Sequence, residues 1–341
     1  SDLVGVTARA CGLPGGFGGP GQHWTPLAKP ATNAKLSDGS MRDIKKLRPN
    51  VTRDISYASS AQTRAGRGLI RLTENLTGRM KLIRMAKGYD DEVRAGRDFW
   101  EVMVERYALG LDVRAGTLDS VPREGPLVVI SNHPYGILDG LMLGYILSQT
   151  RGDFRILAHQ VFRKAEDLNR IILPISFDET REAQRLNIET RKIALRYLIE
   201  GGCIGIFPGG TVSTALTPFG RPMDPGWRRF TARLIAKSGA TVVPVFFDGH
   251  NSRLFQIASH VHYTLRVALL INEFKLRVGE KVPVVIGAPL PAAELVARSA
   301  DATALMDYLR AETYRLSPQP IRDLSYGFEF EDNHQSAPKG V

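Results

Sequence analysis

The stretch PLVVISNHPYGILDGLMLGYILSQ, residues 126–149, decides the fold. PLVVI is a short apolar run rich in β-branched residues, as expected of a buried strand. Pro134 and Gly136 bend the chain, and an apolar helix starts at Ile137 with Asp139 in its first turn. Outward from this unit the alternation repeats. FRILAH, IILPIS, CIGIFP, TVVPVFF, LRVALLI and KVPVVIG read as short apolar runs. They are interleaved with helical patterns at REAQRLNIETRKIALRYLIE and WRRFTARLIAKSG, and a last helix falls near 302–315. Strands alternating with helices predict an α/β fold, a central mixed sheet covered by helices on both faces.

Within the bend, Asp139 can fold back onto His133. A carboxylate bonded to one ring nitrogen fixes the imidazole tautomer and raises the basicity of the other nitrogen, which suits a general base for a hydroxyl. The same residues also fit a plain turn histidine beside a carboxylate favoured by the helix dipole.

The chain has 341 residues, 43% hydrophobic and 23% charged, which excludes a collagen, a coiled coil and a wholly disordered chain. Its net charge of +10 calls for an anionic partner: a membrane surface, an acidic protein, a phosphorylated small molecule or a nucleic acid. The charge is concentrated. Residues 42–87 hold twelve Lys and Arg against three acidic residues. Leu69, Leu72, Leu76, Met80 and Ile83 recur there at steps of three and four, an amphipathic helix with a basic remainder. It either lies in a membrane interface or packs its stripe on the domain behind it. A second helix is expected over roughly residues 91–108.

Residues 1–41 carry eight glycines with Pro14, Pro20, Pro26 and Pro30 and read as an extended arm, with Phe17, Trp24 and Leu27 as anchors. Gly16, Gly18 and Gly21 spell GxGxxG without a strand before or a helix after, so no nucleotide loop is expected. The opening SDLVGVTARACG lacks the basic start and long apolar core of a signal peptide. Two cysteines, Cys11 and Cys203, are too few for a disulfide framework, and a reducing cytoplasmic compartment is the expectation. No run reaches the roughly 18 apolar residues of a spanning helix. The resulting division is an arm (1–41), a basic helical region (42–110), an α/β domain (111–317) and a tail (318–341). The tail is either a surface wrap or a loose end. His260 and His262 alternate on a possible strand but lack a third ligand, so no metal site is expected.

Four blocks in order resemble the lysophospholipid acyltransferase (PlsC-like) superfamily, with its NHxxxxD motif, a basic second block, FPEGTRS and a VPV-type strand. They are NHPYGILD (132–139), RLNIETRK (185–192), FPGGTVS (207–213) and VVPVFFDGHNSRLF (242–255). The likeness extends from LTGRMKLIRM to LLINEFKLRVGEKVPVVIG, roughly residues 70–290. Five residues separate His133 from Asp139 where the glycerophosphate enzymes have four, and NHPxGxxDG looks like the hemolysin-like branch, which includes acyltransferases of lyso-aminolipids. In the third block the family's Glu is Gly209 and its Arg is Val212, which weakens lysophosphatidate as acceptor, since a phosphate monoester favours a fixed guanidinium.

The resemblance implies a glycerolipid-acyltransferase-like fold with an N-terminal membrane-facing helical segment. It also implies an O-acyltransferase that takes an acyl group from acyl-CoA or acyl carrier protein and places it on a lysolipid, of lyso-ornithine-lipid type. No cofactor beyond that thioester co-substrate is implied. His133 would be the base and Asp139 its orienter. Backbone amides around Gly209, Gly210 and Thr211 would meet the oxyanion, although the block also fits an ordinary strand-to-loop turn. Asn132, Pro208 and Ser213 complete the expected substrate contacts. Arg185, Asn187 and Arg191 could meet the headgroup or form a solvated face, and Asn251 and Arg253 could meet substrate or belong to a loop network. Expected partners are the lysolipid, the thioester and an anionic membrane surface, with no nucleic acid, at the cytoplasmic face of the inner membrane. Lysophosphatidate acylation, and a lipid-binding protein without activity, are the alternatives.

Overall fold

PLVVI lies at the centre of the sheet in strand β2 (Leu127–Ser131), every residue of which is buried. The computed structural model describes residues 56, 63–160, 166–176 and 180–329. The arm with Phe17, Trp24 and Leu27, the basic residues before position 56, and Glu331 and Asp332 of the tail lie outside the described residues.

Seven strands form one sheet in the order β1, β9, β8, β2, β5, β3, β4. The others are β1 (Gly110–Ala115), β3 (Arg155–His159), β4 (Ile172–Ile175), β5 (Cys203–Ile206), β8 (Thr241–Phe247) and β9 (Lys281–Ile286). Every neighbouring pair is parallel except β8 and β9, so the sheet is mixed. Successive side chains of β2 enter opposite cores, as the pleat demands. Leu127 and Val129 meet helix α5 (Ile137–Thr150) and helix α4 (Phe99–Arg106) on one face. Val128 and Ile130 meet α6 (Arg181–Ile199), α7 (Arg229–Ser238) and α11 (Ala302–Arg315) on the other. Each of these wholly buried aliphatic side chains contributes about 1.5–3 kcal/mol.

Parallel register places the motifs. Ile130 pairs with Ile206 on β5 and with Pro244 on β8, so the carboxyl ends of three strands stand side by side. The chain leaves β2 toward β3, whereas from β5 it crosses back to β8. Strand ends that diverge in this way open the crevice where α/β sheets present ligand groups.

The first helix, α1 (Arg64–Thr77), starts at the N-cap Thr63 and ends at Gly78, where α2 (Arg79–Met85) begins. Gly78 sits at φ 143°, and a Cβ there would lie 2.2 Å from the Lys275 side chain. The helix packs through Ile70 onto Val267 and Ala268 of α9 (Tyr263–Arg277). Leu69, Leu72, Leu76 and Met80 face away from that contact, 46–78% exposed. Among the described residues these four side chains are left largely uncovered, and Ile83 is half-buried.

Three local expectations change. The helix expected near 91–108 is two, α3 (Tyr89–Arg94) and α4, because Gly96 takes φ 97° and Asp98 caps the second by accepting the Glu101 N–H. LRVALLI is helical, inside α9. His260 lies in the last turn of helix α8 (Arg253–Val261) and His262 is the N-cap of α9, so neither lies on a strand. Between β5 and α7 a two-strand hairpin intervenes, β6 (Thr214–Ala215) and β7 (Pro222–Met223); α10 (Ala292–Ala297) follows β9. The described part of the tail runs along the hairpin base, with the Gly327 N–H on the Asp224 carbonyl and the Phe328 N–H on that of Thr214. No helix among the described residues is long and apolar enough to cross a membrane.

Candidate active site

The turn after β2 brings His133 and Asp139 together: His133 Nδ1 lies 3.0 Å from Asp139 Oδ2. The bend itself causes this. Gly136, at φ 85°, reverses the chain into α5, and Asp139, three residues on, accepts the N–H groups of Tyr135 at 2.7 Å and Gly136 at 2.9 Å. The carboxylate is wholly buried, whereas the histidine side chain is 18% exposed. Nδ1 is buried and approaches the carboxylate off the line of an ideal hydrogen bond, so the exposure belongs to the rest of the ring. The ring stacks on Phe207, centroids 4.2 Å apart. Burial pushes the Asp139 carboxyl above the usual carboxylate range, opposed by His133 and by the two backbone N–H groups.

The third block holds the histidine's backbone. Ser213 donates its N–H to the His133 carbonyl at 2.8 Å, and the His133 N–H donates to Asp224 Oδ1 at 3.2 Å. The same Oδ1 accepts the Ser213 hydroxyl, and Oδ2 accepts Trp227 Nε1 at 2.9 Å. Asp224 is itself fixed at both backbone ends. Its N–H donates to the Tyr314 hydroxyl, and its carbonyl accepts from Gly327 and Arg310. A Cβ on Gly209 would stand 3.5 Å from Asp224 Oδ2, so a carboxylate occupies the neighbourhood from which the third block lacks its Glu. Sequence reasoning missed Asp224; its signal, an acid between Pro222 and Pro225 just after the block, gains meaning only in three dimensions.

Arg266 of α9 was missed in the same way. It is 3% exposed and donates to Thr211 Oγ1 at 3.1 Å, the Val212 carbonyl at 2.7 Å and Ser259 Oγ at 3.0 Å. Burial pushes its pKa down to about 9, which still leaves it charged at neutral pH. A guanidinium thus backs the third block from another helix, while Val212 packs on Phe255 and Leu270.

Within that block, the Gly210 N–H closes a turn on the Phe207 carbonyl, and the Pro208 carbonyl accepts from Arg228. The N–H groups of Gly209 and Thr211 meet no acceptor among the described residues. The remaining candidates divide. Asn132 gives both ends of its amide to Phe247, donating to the carbonyl at 2.9 Å and accepting the N–H at 2.8 Å, which ties β2 to β8. Asn187 does the same with Ser176 beyond β4. Arg185 and Arg191 lie on the exposed face of α6, the latter over the Phe230 ring at 5.1 Å. Arg253 donates to the Gly220 carbonyl at 2.8 Å. Asn251 is 1% exposed, and neither end of its amide has a partner among the described residues.

A histidine and a carboxylate at the end of a central strand, beside a turn with free backbone donors, form a site equipped for acyl transfer. A family model described as acyltransferase matches residues 81–319, and the chain belongs to that family, as the order of its motifs led us to expect. It is an acyltransferase enzyme. A lyso-glycine lipid O-acyltransferase of Phocaeicola vulgatus is 24% identical over 211 residues, covering 59% of this chain and 72% of that protein. One from Bacteroides thetaiotaomicron is 23% identical over 205 residues, with 58% and 72% covered. The crystal structure of the 1-acyl-sn-glycerophosphate (LPA) acyltransferase PlsC from Thermotoga maritima aligns with TM-score 0.42 at 15% identity, over 73% of this chain and 93% of that one.

Proposed function

We propose that the protein transfers a fatty acyl group from an acyl thioester, acyl-CoA or acyl carrier protein, to the free hydroxyl of a lysolipid, with a lyso-aminolipid as acceptor. The contact of His133 with Asp139 carries this reading. Asp139 occupies Nδ1, so Nε2 takes the hydroxyl proton as the oxygen attacks the thioester carbonyl. The C–O bond forms, the oxyanion collapses, and the C–S bond breaks. The thiolate leaves with the proton returned from the imidazolium, so no enzyme nucleophile and no resident cofactor is needed. Asp139 steadies the imidazolium between the two proton transfers. The free N–H groups of Gly209 and Thr211 are the donors we assign to the oxyanion.

The acceptor follows from what the third block holds. Val212 is 7% exposed and packed among apolar side chains, so no guanidinium stands at that position for a phosphate monoester. The relatives named as lyso-glycine lipid O-acyltransferases point the same way. We place the enzyme on the cytoplasmic face of the inner membrane, held there by the exposed stripe of α1 and the basic residues beside it.

Purified enzyme supplied with acyl-CoA or acyl carrier thioester and a panel of lysolipids tests the proposal. Ester formation should be fastest on a lyso-aminolipid and about 10²–10⁴-fold slower in H133A. Faster acylation of lysophosphatidate than of every aminolipid would overturn the acceptor, and an H133A enzyme within about tenfold of wild type would overturn the mechanism.

A further inference from the structure

We propose that the β6–β7 hairpin and the outer edge of α8 form a second footing on an anionic bilayer, separate from the stripe of α1. The inference rests on the reading of the protein as a membrane-bound acyltransferase and adds where the bilayer meets it. Two adjoining sets of side chains carry it.

At the hairpin tip Leu216 is 61% and Phe219 76% exposed. Phe219 sits between Pro218 and Gly220 in a turn closed by the Gly220 N–H on the Thr217 carbonyl. On α8, Leu254, Ile257 and Val261 recur at steps of three and four, 60%, 39% and 66% exposed, while Phe255, Ala258 and Ser259 pack inward. Three hydrogen-bond contacts tie the two sets together. Arg253 holds the Gly220 carbonyl, Gln256 accepts the Ala215 N–H at 3.0 Å, and His260 Nε2 lies 2.9 Å from the Ala215 carbonyl.

Charge selects the occupant. No Asp or Glu falls between Thr211 and Met223, and between Gly249 and Arg277 Glu273 alone is acidic. Glu273 is 2% exposed and accepts both the N–H and the hydroxyl of Ser252. Arg221 and Arg253 are exposed beside the apolar groups. A surface of protruding aliphatic and aromatic side chains, edged by guanidinium and with no exposed carboxylate in either of these two segments, matches the acyl boundary and headgroups of anionic lipid. Its location gives it a use. The hairpin springs from Ser213 and returns at Asp224, the two residues that hold the His133 backbone, so a footing here brings the bilayer to the element that carries the site.

Sedimentation of the whole 341-residue chain with vesicles of phosphatidylcholine and phosphatidylglycerol in equal parts tests the footing. F219S and the double variant L254S/V261S should each bind about tenfold more weakly than wild type. Their thermal midpoints should not change, and wild-type binding should weaken on pure phosphatidylcholine and in high salt. Wild-type vesicle binding by both variants overturns the proposal. So does a loss confined to transfer from the acyl carrier protein, which would give this surface to that acidic protein. H133A should bind vesicles as wild type does. A wild-type protein that sediments through the hairpin yet acylates no lysolipid leaves the footing standing and removes the proposed reaction.

Discussion

Asp139 Oδ2 approaches His133 Nδ1 at 3.0 Å while it holds the N–H groups of Tyr135 and Gly136 at the start of α5. One carboxylate oxygen thus shapes the turn and orients the ring that the turn presents. H133A removes the base and should slow ester formation about 10²–10⁴-fold, with the thermal midpoint close to wild type. D139N keeps an oxygen for the backbone N–H groups but loses the negative charge that steadies the imidazolium. It should lower kcat by a similar factor with KM little changed. Radiolabelled acyl transfer measures both, and a D139N enzyme within twofold of wild type would remove Asp139 from the mechanism.

The same burial makes stability depend on pH. An exposed carboxyl titrates near 3.8, and burial raises that of Asp139 in the folded protein. The folded state therefore binds the proton more tightly than the unfolded state. The stability this group contributes is complete below the ordinary value and is lost as pH rises through the raised one. The amide that replaces the carboxyl in D139N does not titrate. Thermal melts from pH 4 upward should show D139N gaining on wild type until the folded carboxyl has ionised, then running parallel. A constant difference across the range would mean that folding leaves the affinity of Asp139 for its proton unchanged.

Asp224 offers two oxygens to three donors, the His133 N–H, the Ser213 hydroxyl and Trp227 Nε1. D224N retains one accepting oxygen and adds a donor where none is wanted, so it should lose about 1–3 kcal/mol of stability. Because His133 is held through its backbone, kcat should also fall about tenfold or more with KM near wild type. S213A and W227F each remove a donor and leave Asp224 fewer partners to satisfy, so their effects should be smaller. A D224N enzyme with a raised KM and an intact kcat would make Asp224 a substrate contact instead of a positioning residue.

Three of the four motif blocks came together because in-register parallel strands gather what the sequence spreads over more than a hundred residues: Ile130, Ile206 and Pro244 stand side by side, and the turns that follow their strands must meet, whereas the second block lies on α6. LRVALLI misled because a helix packed against α1, α5 and α8 is apolar on several sides, and such a run shows no period that separates helix from strand. Strand β1 escaped notice because GLDVRA, on the sheet edge, carries Asp112 and Arg114 and no apolar run. The periodicity of Leu69, Leu72 and Leu76 revealed a stripe but not its partner. Ile70 and Glu74, on a different face, make the inward contact. Asp224 and Arg266 act through backbone groups and hydroxyls, which leave no pattern of residue types.

Asn132 stands next to the base in sequence, yet its amide is spent on Phe247, one bond in each direction. N132D cannot donate to the Phe247 carbonyl and sets a buried carboxylate against it, at a cost of about 3 kcal/mol. Urea denaturation should show this loss. N132A should also destabilise, and KM for the lysolipid should hold near wild type in the fraction that remains folded. A stable N132A enzyme with a raised KM would reverse the assignment and make Asn132 a substrate contact.

Gly249 and Tyr135 fit only each other. Gly249 takes φ 151°, and a Cβ there would lie 1.7 Å from the Tyr135 hydroxyl oxygen, which donates to the Asp248 carbonyl at 2.9 Å. G249A therefore has to displace either the β8–α8 loop or the ring two residues from His133, and it should lose about 1–3 kcal/mol together with part of its activity. Y135F removes the closest atom but leaves Cζ 2.7 Å from the new methyl. The double variant Y135F/G249A should then be more stable than the two single losses predict, by about 1 kcal/mol in a double-mutant cycle. Strictly additive losses would mean that the strain of G249A lies in its backbone and not against the tyrosine.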